Sequence, residues 1–346
     1  MWDFSFSTFS GGGMKNKASV LGVCLLLSAT VVWGLGFTMQ SLALEHIGAC
    51  SLSSVRNILA ALFLIPVIML FDKKTERRLF SRKNSRFHLD ITKKEWVGGI
   101  FCGVILGIAS TLQQIGIAAE ETDSGKAAFI TALYVVIVPI LSVFLGKRPR
   151  KIVWLGAFLA VVGFYLLSAN IVFDGQGFLK ALLSSGFRFA TGDLMVLLCA
   201  VVFSLHILVI GAFSPHTDGI RLSAIQFFVA GVAFLPFMLF LEKPAVSDII
   251  AAAWPVLYLA VCSSGIGYTA QILGQRYVDS TVSAIILSLE SVFGAVFGIL
   301  LLDEKQTAVQ LVGCAIVLLA VVLAQLPEKR KKATPPPSLA EEKKDS

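Results

Sequence analysis

Two stretches lying 170 residues apart decide how this chain is built: LSSVRNILAALFLIP over Leu52 to Pro66, and LSAIQFFVAGVAFLP over Leu222 to Pro236. Both are apolar runs of helix length in which the same residue types return in the same order. Leu52, Ser53, Ser54, Val55 and Arg56 correspond to Leu222, Ser223, Ala224, Ile225 and Gln226, and Ala60 and Pro66 to Ala230 and Pro236. Upstream, Val31, Val32 and Trp33 recur as Val201, Val202 and Phe203. Downstream the offset shortens, so that Thr111, Gln113 and Gly116 match Thr269, Gln271 and Gly274, and Asp123 with Ser124 matches Asp279 with Ser280. Apolar matches alone carry little weight, because apolar helices resemble one another by composition. Polar residues and prolines repeated in order point to an internal duplication.

The medium in which the duplicated unit folds follows from composition. The 346 residues are 56% hydrophobic and 15% charged, with a mean hydropathy of +0.82, whereas soluble domains carry about 25% charged residues. A bilayer core about 30 Å thick takes about 20 apolar residues per helix. Runs of that kind lie near 18–43, 50–71, 95–119, 124–146, 152–169, 191–213, 222–241, 254–275, 280–302 and 308–326. The expected fold is therefore an all-α integral membrane protein of ten transmembrane helices. Five helices per unit is an odd number, so the second unit must sit inverted in the membrane relative to the first. Inverted repeats around a site near the bilayer midplane are the architecture of alternating-access secondary transporters. The expected organisation is a polar segment over 1–17, a first five-helix repeat over 18–169, a connecting loop over 170–190, a second repeat over 191–326 and a disordered tail over 327–346.

Charge gives the orientation. Lys15 and Lys17 precede the first run, the second connection holds nine basic residues from Lys73 to Lys94, the fourth holds Lys147, Arg148, Arg150 and Lys151, and the tail holds Lys329, Arg330, Lys331 and Lys332. The odd-numbered connections hold only Lys126, Lys180, Arg188, Lys243 and Lys305. Both termini are thus expected in the cytoplasm of a cell-membrane protein. The net charge of +7 is explained by this asymmetry rather than by nucleic-acid binding. The first apolar run exceeds the 7 to 15 residues of a cleaved signal, and Met14, followed by Lys15 and Lys17, is an alternative start. Cys24, Cys50, Cys102, Cys199, Cys262 and Cys314 fall in or beside apolar runs without metal-ligand spacing, and are read as small hydrophobes.

Two stretches carry a family resemblance. Gly125-Lys-Ala-Ala-Phe-Ile-Thr-Ala-Leu-Tyr-Val-Val-Ile-Val-Pro139, followed by Lys147-Arg-Pro-Arg150, resembles the fourth helix of a repeat in EamA-type drug/metabolite transporters. The run from Ser283 through Glu290 to Glu304 resembles its counterpart in the second repeat. The likeness covers about Val20 to Leu326. It departs at Ser291, where the family usually has proline after the glutamate, which puts a kink there in doubt. The resemblance implies ten helices around a central cavity, and export or exchange of small metabolites.

Few groups in the spans could carry chemistry. A charged side chain at a helix centre costs about 2.5 to 3.5 kcal/mol on insertion scales. Glu290 lies about halfway along its run, and its repeat mate is Tyr134. It is either a bundle-holding hydrogen-bonder or a cavity acid able to bind a proton or a cationic substrate group. Together with Tyr134 it is expected to form the binding site across the pseudo-twofold axis. His206 is a second titratable group, either coupled to proton movement or structural. Arg56 is about 9 Å into its helix at 1.5 Å per residue, so it either snorkels to the interface or recognises an anion. Gln113, Gln114 and Gln271, with Trp33, Tyr134 and Tyr268, would make a cavity wall mixing aromatic surface with directional polar groups, although glutamines in membranes also serve as glue between helices. Gly99, Gly103, Gly107, Gly294 and Gly298 are read as close-packing positions. No P-loop, HExxH or nucleophile-elbow motif occurs. The expected function is a secondary transporter of small organic metabolites in a lipid bilayer, not an enzyme, with no cofactor and with a proton or counter-substrate as coupling partner. The competing classes are an intramembrane enzyme acting on lipid and a non-transporting receptor or scaffold.

Overall fold

The computed structural model describes residues 12–71, 91–119, 124–168, 191–302 and 308–326. Most of the second connection with its basic residues, the 170–190 loop and the 327–346 tail lie outside the described residues. Every regular element among the described residues is helical. In chain order these are α1 (Gly12–Leu44), α2 (Ala49–Phe71), α3 (Lys93–Ala118), α4 (Ser124–Ala132), α5 (Tyr134–Phe144), α6 (Lys151–Ser168) and α7 (Thr191–Phe213). Then follow α8 (Gly219–Phe237), α9 (Val246–Ala251), α10 (Ala253–Tyr258), α11 (Thr269–Gln275), α12 (Ser280–Leu287), α13 (Glu290–Leu302) and α14 (Ala308–Gln325). Two π-helical stretches, Met238–Glu242 and Leu259–Tyr268, extend α8 and join α10 to α11.

Among the described residues eight helical stretches are long and apolar enough to cross a membrane. The other two expected spans are shorter apolar helices, Lys151–Leu166 and Leu311–Gln325. The exposed surface is apolar, as lipid contact requires: Leu70 is 79% and Phe144 83% exposed, whereas Glu290 and Arg56 are 5% and 3% exposed. The polar groups have been turned inward.

Repeat mates pack on each other. α2 lies against α8, and α6 against α14. Both pairs run antiparallel. At one end of the α2–α8 pair, Glu242 accepts from the backbone N–H of Cys50 and Ser51 at 2.8 and 2.7 Å, so the finish of the α8 span caps the start of α2. At the start of α6, Arg150 donates to the carbonyls of Ala324 and Leu326 at the finish of α14. Further contacts obey the same exchange of halves. Gly116 is held against Gly192 and Val196, and its mate Gly274 against Gly22 and Leu26; in each case a Cβ on the glycine would come within 3 Å of the facing glycine carbonyl. Close backbone approach of this kind is what small residues permit in a bundle. The hydroxyl pair Ser53–Thr111 (2.8 Å) ties α2 to α3, and its repeat equivalent Ser223–Thr269 (2.7 Å) ties α8 to α11.

The expected fourth and ninth spans are each interrupted. The α-helical ladder breaks at Leu133 between α4 and α5, and at Ser288–Leu289 between α12 and α13. Short i to i−3 bonds, Leu133 N–H to Ile130 and Leu289 N–H to Ile286, close the finished halves. The second break occurs without proline. Ser291, standing where proline was expected, donates its hydroxyl to the Ala128 carbonyl on α4 at 3.0 Å, so the sequence departure at that position does not straighten the helix.

Candidate functional site

The two breaks bring the first residues of two half-helices together. Tyr134 opens α5 and Glu290 opens α13. The Tyr134 hydroxyl donates to Glu290 Oε1 at 3.0 Å, and both side chains are buried. Glu290 stands in the first turn of this 13-residue helix, where the N–H groups of Ser291 and Phe293 are already taken by the Ser288 and Leu289 carbonyls of the turn before. The Tyr134 phenol is therefore the donor that meets this carboxyl group inside the bundle.

A cavity of about 40 Å³ opens beside this pair. Its aromatic wall is Trp33, Phe37, Phe203, Tyr134 and Tyr268; its polar wall is Gln40, Arg56, Gln113, Thr131, Gln271 and Glu290. Trp33 and Tyr268 meet at a tilt of 51° with ring centroids 4.6 Å apart, and the indole N–H donates to the Ser263 carbonyl at 3.0 Å. That carbonyl belongs to the π-helical stretch Leu259–Tyr268, whose wider turns misalign backbone groups and recur at functional positions. Gln113 donates to Thr131 Oγ1 at 3.1 Å. The Gln271 side-chain oxygen, by contrast, is buried with no partner among the described residues, which leaves an acceptor free in the cavity wall.

Arg56 does not reach an interface. It is buried, donates to Gln40 Oε1 at 3.2 Å, and lines the cavity. The Gln114 amide is best oriented with its nitrogen toward Ser53 Oγ and the Ala49 carbonyl, both at 2.7 Å, and its oxygen toward Arg56 Nη1 at 3.2 Å. Two amide oxygens, with the Tyr268 phenol beside them, therefore meet the guanidinium, and among the described residues no carboxylate is bonded to it.

Seven of the nine residues singled out from sequence meet in this cavity: Trp33, Arg56, Gln113, Tyr134, Tyr268, Gln271 and Glu290. Gln114 and His206 do not line it. Gln114 stands behind Arg56, and His206 is fully buried with Nε2 at 3.2 Å from Gln226 Oε1 and its ring against Phe203 and Tyr268. Sequence reading passed over Gln40 and Thr131. Gln40 carried a usable signal, since an amide near the end of an apolar run of 26 residues is costly to bury unless it is bonded. Thr131 carried none, because threonine bonds to its own helix at little cost.

Comparison with known proteins adds the family. Residues 20–169 and 190–326 each match the EamA-like transporter family. The chain is 29% identical, over 93% of its length and 91% of the relative's, to an uncharacterized transporter of Archaeoglobus fulgidus. It is 24% identical, over 60% of its length and 50% of the relative's, to a WAT1-related chloroplastic protein of Arabidopsis thaliana. A solved crystal structure superposes with a TM-score of 0.65 at 16% identity, covering 90% of this chain and 96% of that one, so the fold is shared. With that family spanning both halves of the chain, the protein belongs to the EamA-like transporters and is a multi-pass membrane transporter.

Proposed function

We propose that the protein is a secondary transporter, an exporter or exchanger of small organic metabolites, working by alternating access around the cavity beside Tyr134 and Glu290. One observation carries the reading: each half of the chain supplies one interrupted helix, and the two interruptions meet in a single hydrogen bond. Discontinuous helices from related halves, meeting at a common site, are the arrangement in which rocking of one half against the other exposes that site to each side in turn. The antiparallel packing of α2 on α8 and of α6 on α14 supports ten spans in two inverted five-helix units, with the shorter helices α6 and α14 as the fifth and tenth. The unit boundaries are 18–169 and 191–326.

In this reading Tyr134 satisfies Glu290 while no solute is bound, because a carboxylate in a dry site needs a donor or a cation. A proton or a cationic substrate group arriving at Glu290 replaces the phenol. That exchange loosens the link between the halves and couples binding to movement. Trp33 and Tyr268 supply apolar surface, Gln113, Gln271 and Arg56 supply directional polar contacts, and Gln114 and His206 position Arg56 and Gln226 from behind. The basic end of the bundle, with Lys147, Arg148 and both termini, faces the cytoplasm of the cell membrane.

An unbiased metabolite comparison between cells with and without the protein names the substrate. Purified protein in liposomes then moves radiolabelled substrate only when a gradient or counter-substrate is present. Lipid turnover without solute flux would overturn the reading in favour of an enzyme. Orientation is checked separately: a cysteine replacing Ser247 should react with an impermeant thiol reagent on intact cells, and one replacing Arg148 should not.

A further inference from the structure

A second, larger hollow lies at the basic end of the bundle, away from the cavity already described. Its volume is about 710 Å³, and it is bounded by the start of the first span (Ala18–Leu44, within α1), the α5–α6 connection, the turn before α12 and the finish of α14. These are all places where spans end, which sets the hollow at headgroup height in a bilayer.

Three cations and one carboxylate face it: Lys147, Arg148, Arg150 and Asp279. Two of the four are committed. Both terminal guanidinium nitrogens of Arg150 donate to carbonyls, those of Leu326 and Ala324, and Asp279 Oδ1 accepts from the N–H and hydroxyl of Thr281 at 2.9 and 2.6 Å, capping α12. Lys147 and Arg148 make no side-chain hydrogen bond or ion pair with the described residues. Among the described residues the hollow therefore presents two unspent positive charges.

The rest of its lining is mixed, with Ser19, Thr281 and Gln325 among valines, and its apolar part continues outward along one face of α1. Val20 is 60% exposed, Cys24 is exposed, and Val31 is 38% exposed. Positions four and eleven residues apart share one helix face, so this wall runs from the cationic rim down into the hydrocarbon region. A soluble anion gains nothing from such a wall; a molecule with an anionic head and an acyl chain uses both parts.

We propose that this hollow is a binding site for an anionic phospholipid, with the headgroup phosphate held by Lys147 and Arg148 and an acyl chain along the Val20–Cys24–Val31 face. The site is independent of what the central cavity carries.

The test uses the full chain in vesicles of phosphatidylcholine with and without phosphatidylglycerol, followed by native mass spectrometry of the retained lipid. Wild type should retain phosphatidylglycerol in preference to phosphatidylcholine. K147Q/R148Q should retain it roughly 30-fold less, at about 1 kcal/mol for each cation near an anionic surface. K93Q/K94Q, at the same end of the bundle but outside the hollow, should retain it unchanged. Equal loss in both double variants would mean a general surface-charge effect and would overturn the site. So would displacement of the lipid by inorganic phosphate or glycerol phosphate, which would assign the hollow to a soluble phosphate. Should K147Q/R148Q fail to fold, wild type still decides the matter: phosphatidylglycerol vesicles must protect Lys147 from an amine-reactive label relative to phosphatidylcholine vesicles, and equal labelling in both rejects the proposal.

Discussion

The two halves share a backbone plan and divide the charge between them. In the first half the interrupted helix starts with a phenol, Tyr134, and α2 carries a guanidinium, Arg56. In the second half the interrupted helix starts with a carboxylate, Glu290, and α8 carries an amide, Gln226. Each charged residue thus has a neutral repeat mate. The surroundings differ to match. Arg56 rests between Gln40 and Gln114, while Gln226 is engaged by His206, which takes the place of Gly36 at the 170-residue offset. Duplication preserved the parts that set geometry, namely the hydroxyl pairs, the crossing glycines and the breaks, and relaxed the side chains that face the cavity. The outcome is a cavity with one guanidinium from the first half and one carboxyl group from the second, which gives an otherwise pseudo-symmetric site two chemically distinct ends.

If that division of charge is the basis of transport, removing the carboxylate should have the largest effect. Glu290→Gln keeps shape and hydrogen-bonding capacity, so the variant should insert normally while its initial transport rate drops roughly 10- to 100-fold, the worth of a hydrogen bond to a charged group. The same variant should lose the response of rate to pH. Initial rates across pH at matched expression decide it, and an unchanged profile would reduce Glu290 to a structural role.

The next effect concerns geometry. A Cβ on Gly34 would lie 2.6 Å from Phe293 Cβ and 2.8 Å from the Gly294 nitrogen, hard against the start of α13. Gly34→Ala should therefore destabilise the detergent-solubilised protein by about 1 to 3 kcal/mol through overpacking. Its repeat mate Ser204 already carries a side chain, bonded to the Ala200 carbonyl. Ser204→Ala should leave the melting temperature nearly unchanged, and equal losses at both positions would remove this asymmetry between the halves.

Arg56→Gln makes the first half resemble the second. With Gln40 and Gln114 still able to bond an amide, folding should survive and transport should fall about 10-fold, in line with one lost charge-assisted contact. Loss of folded protein instead would assign Arg56 to holding α1, α2 and α3 together. The smallest effect belongs to the paired hydroxyls. Thr111→Val and Thr269→Val, which remove one hydroxyl from each pair, should each cost about 0.6 kcal/mol, the average for hydrogen bonds between membrane helices. Equal values in an unfolding titration would support the equivalence of the halves, and a clear difference would break it.

Much of this was legible in the chain. Ser53 with Ser223, and Thr111 with Thr269, align as repeat mates in the sequence, and the structure pairs them within each half. Tyr134 and Glu290 align likewise and turn out to be bonded to each other. What stayed hidden depends on neighbours that helical spacing does not reveal. Counting residues along α2 placed Arg56 within reach of the interface, but Gln40 and Gln114 cover it from adjoining helices. His206 and Gln114 looked equivalent to the other polar residues of the spans, yet the rotation of their helices turns them behind the cavity. The break at Ser288–Leu289 had no proline to announce it.

By itself, then, the sequence determined the medium, the duplication and the short set of polar residues that a bilayer would not tolerate without a purpose, because transfer cost and periodicity are properties of residues taken in order. Only the tertiary structure decided which of those residues share one cavity, which of them satisfy each other, and where the helices part. Those outcomes depend on which helix faces touch, and packing between segments more than a hundred residues apart leaves no mark in local sequence.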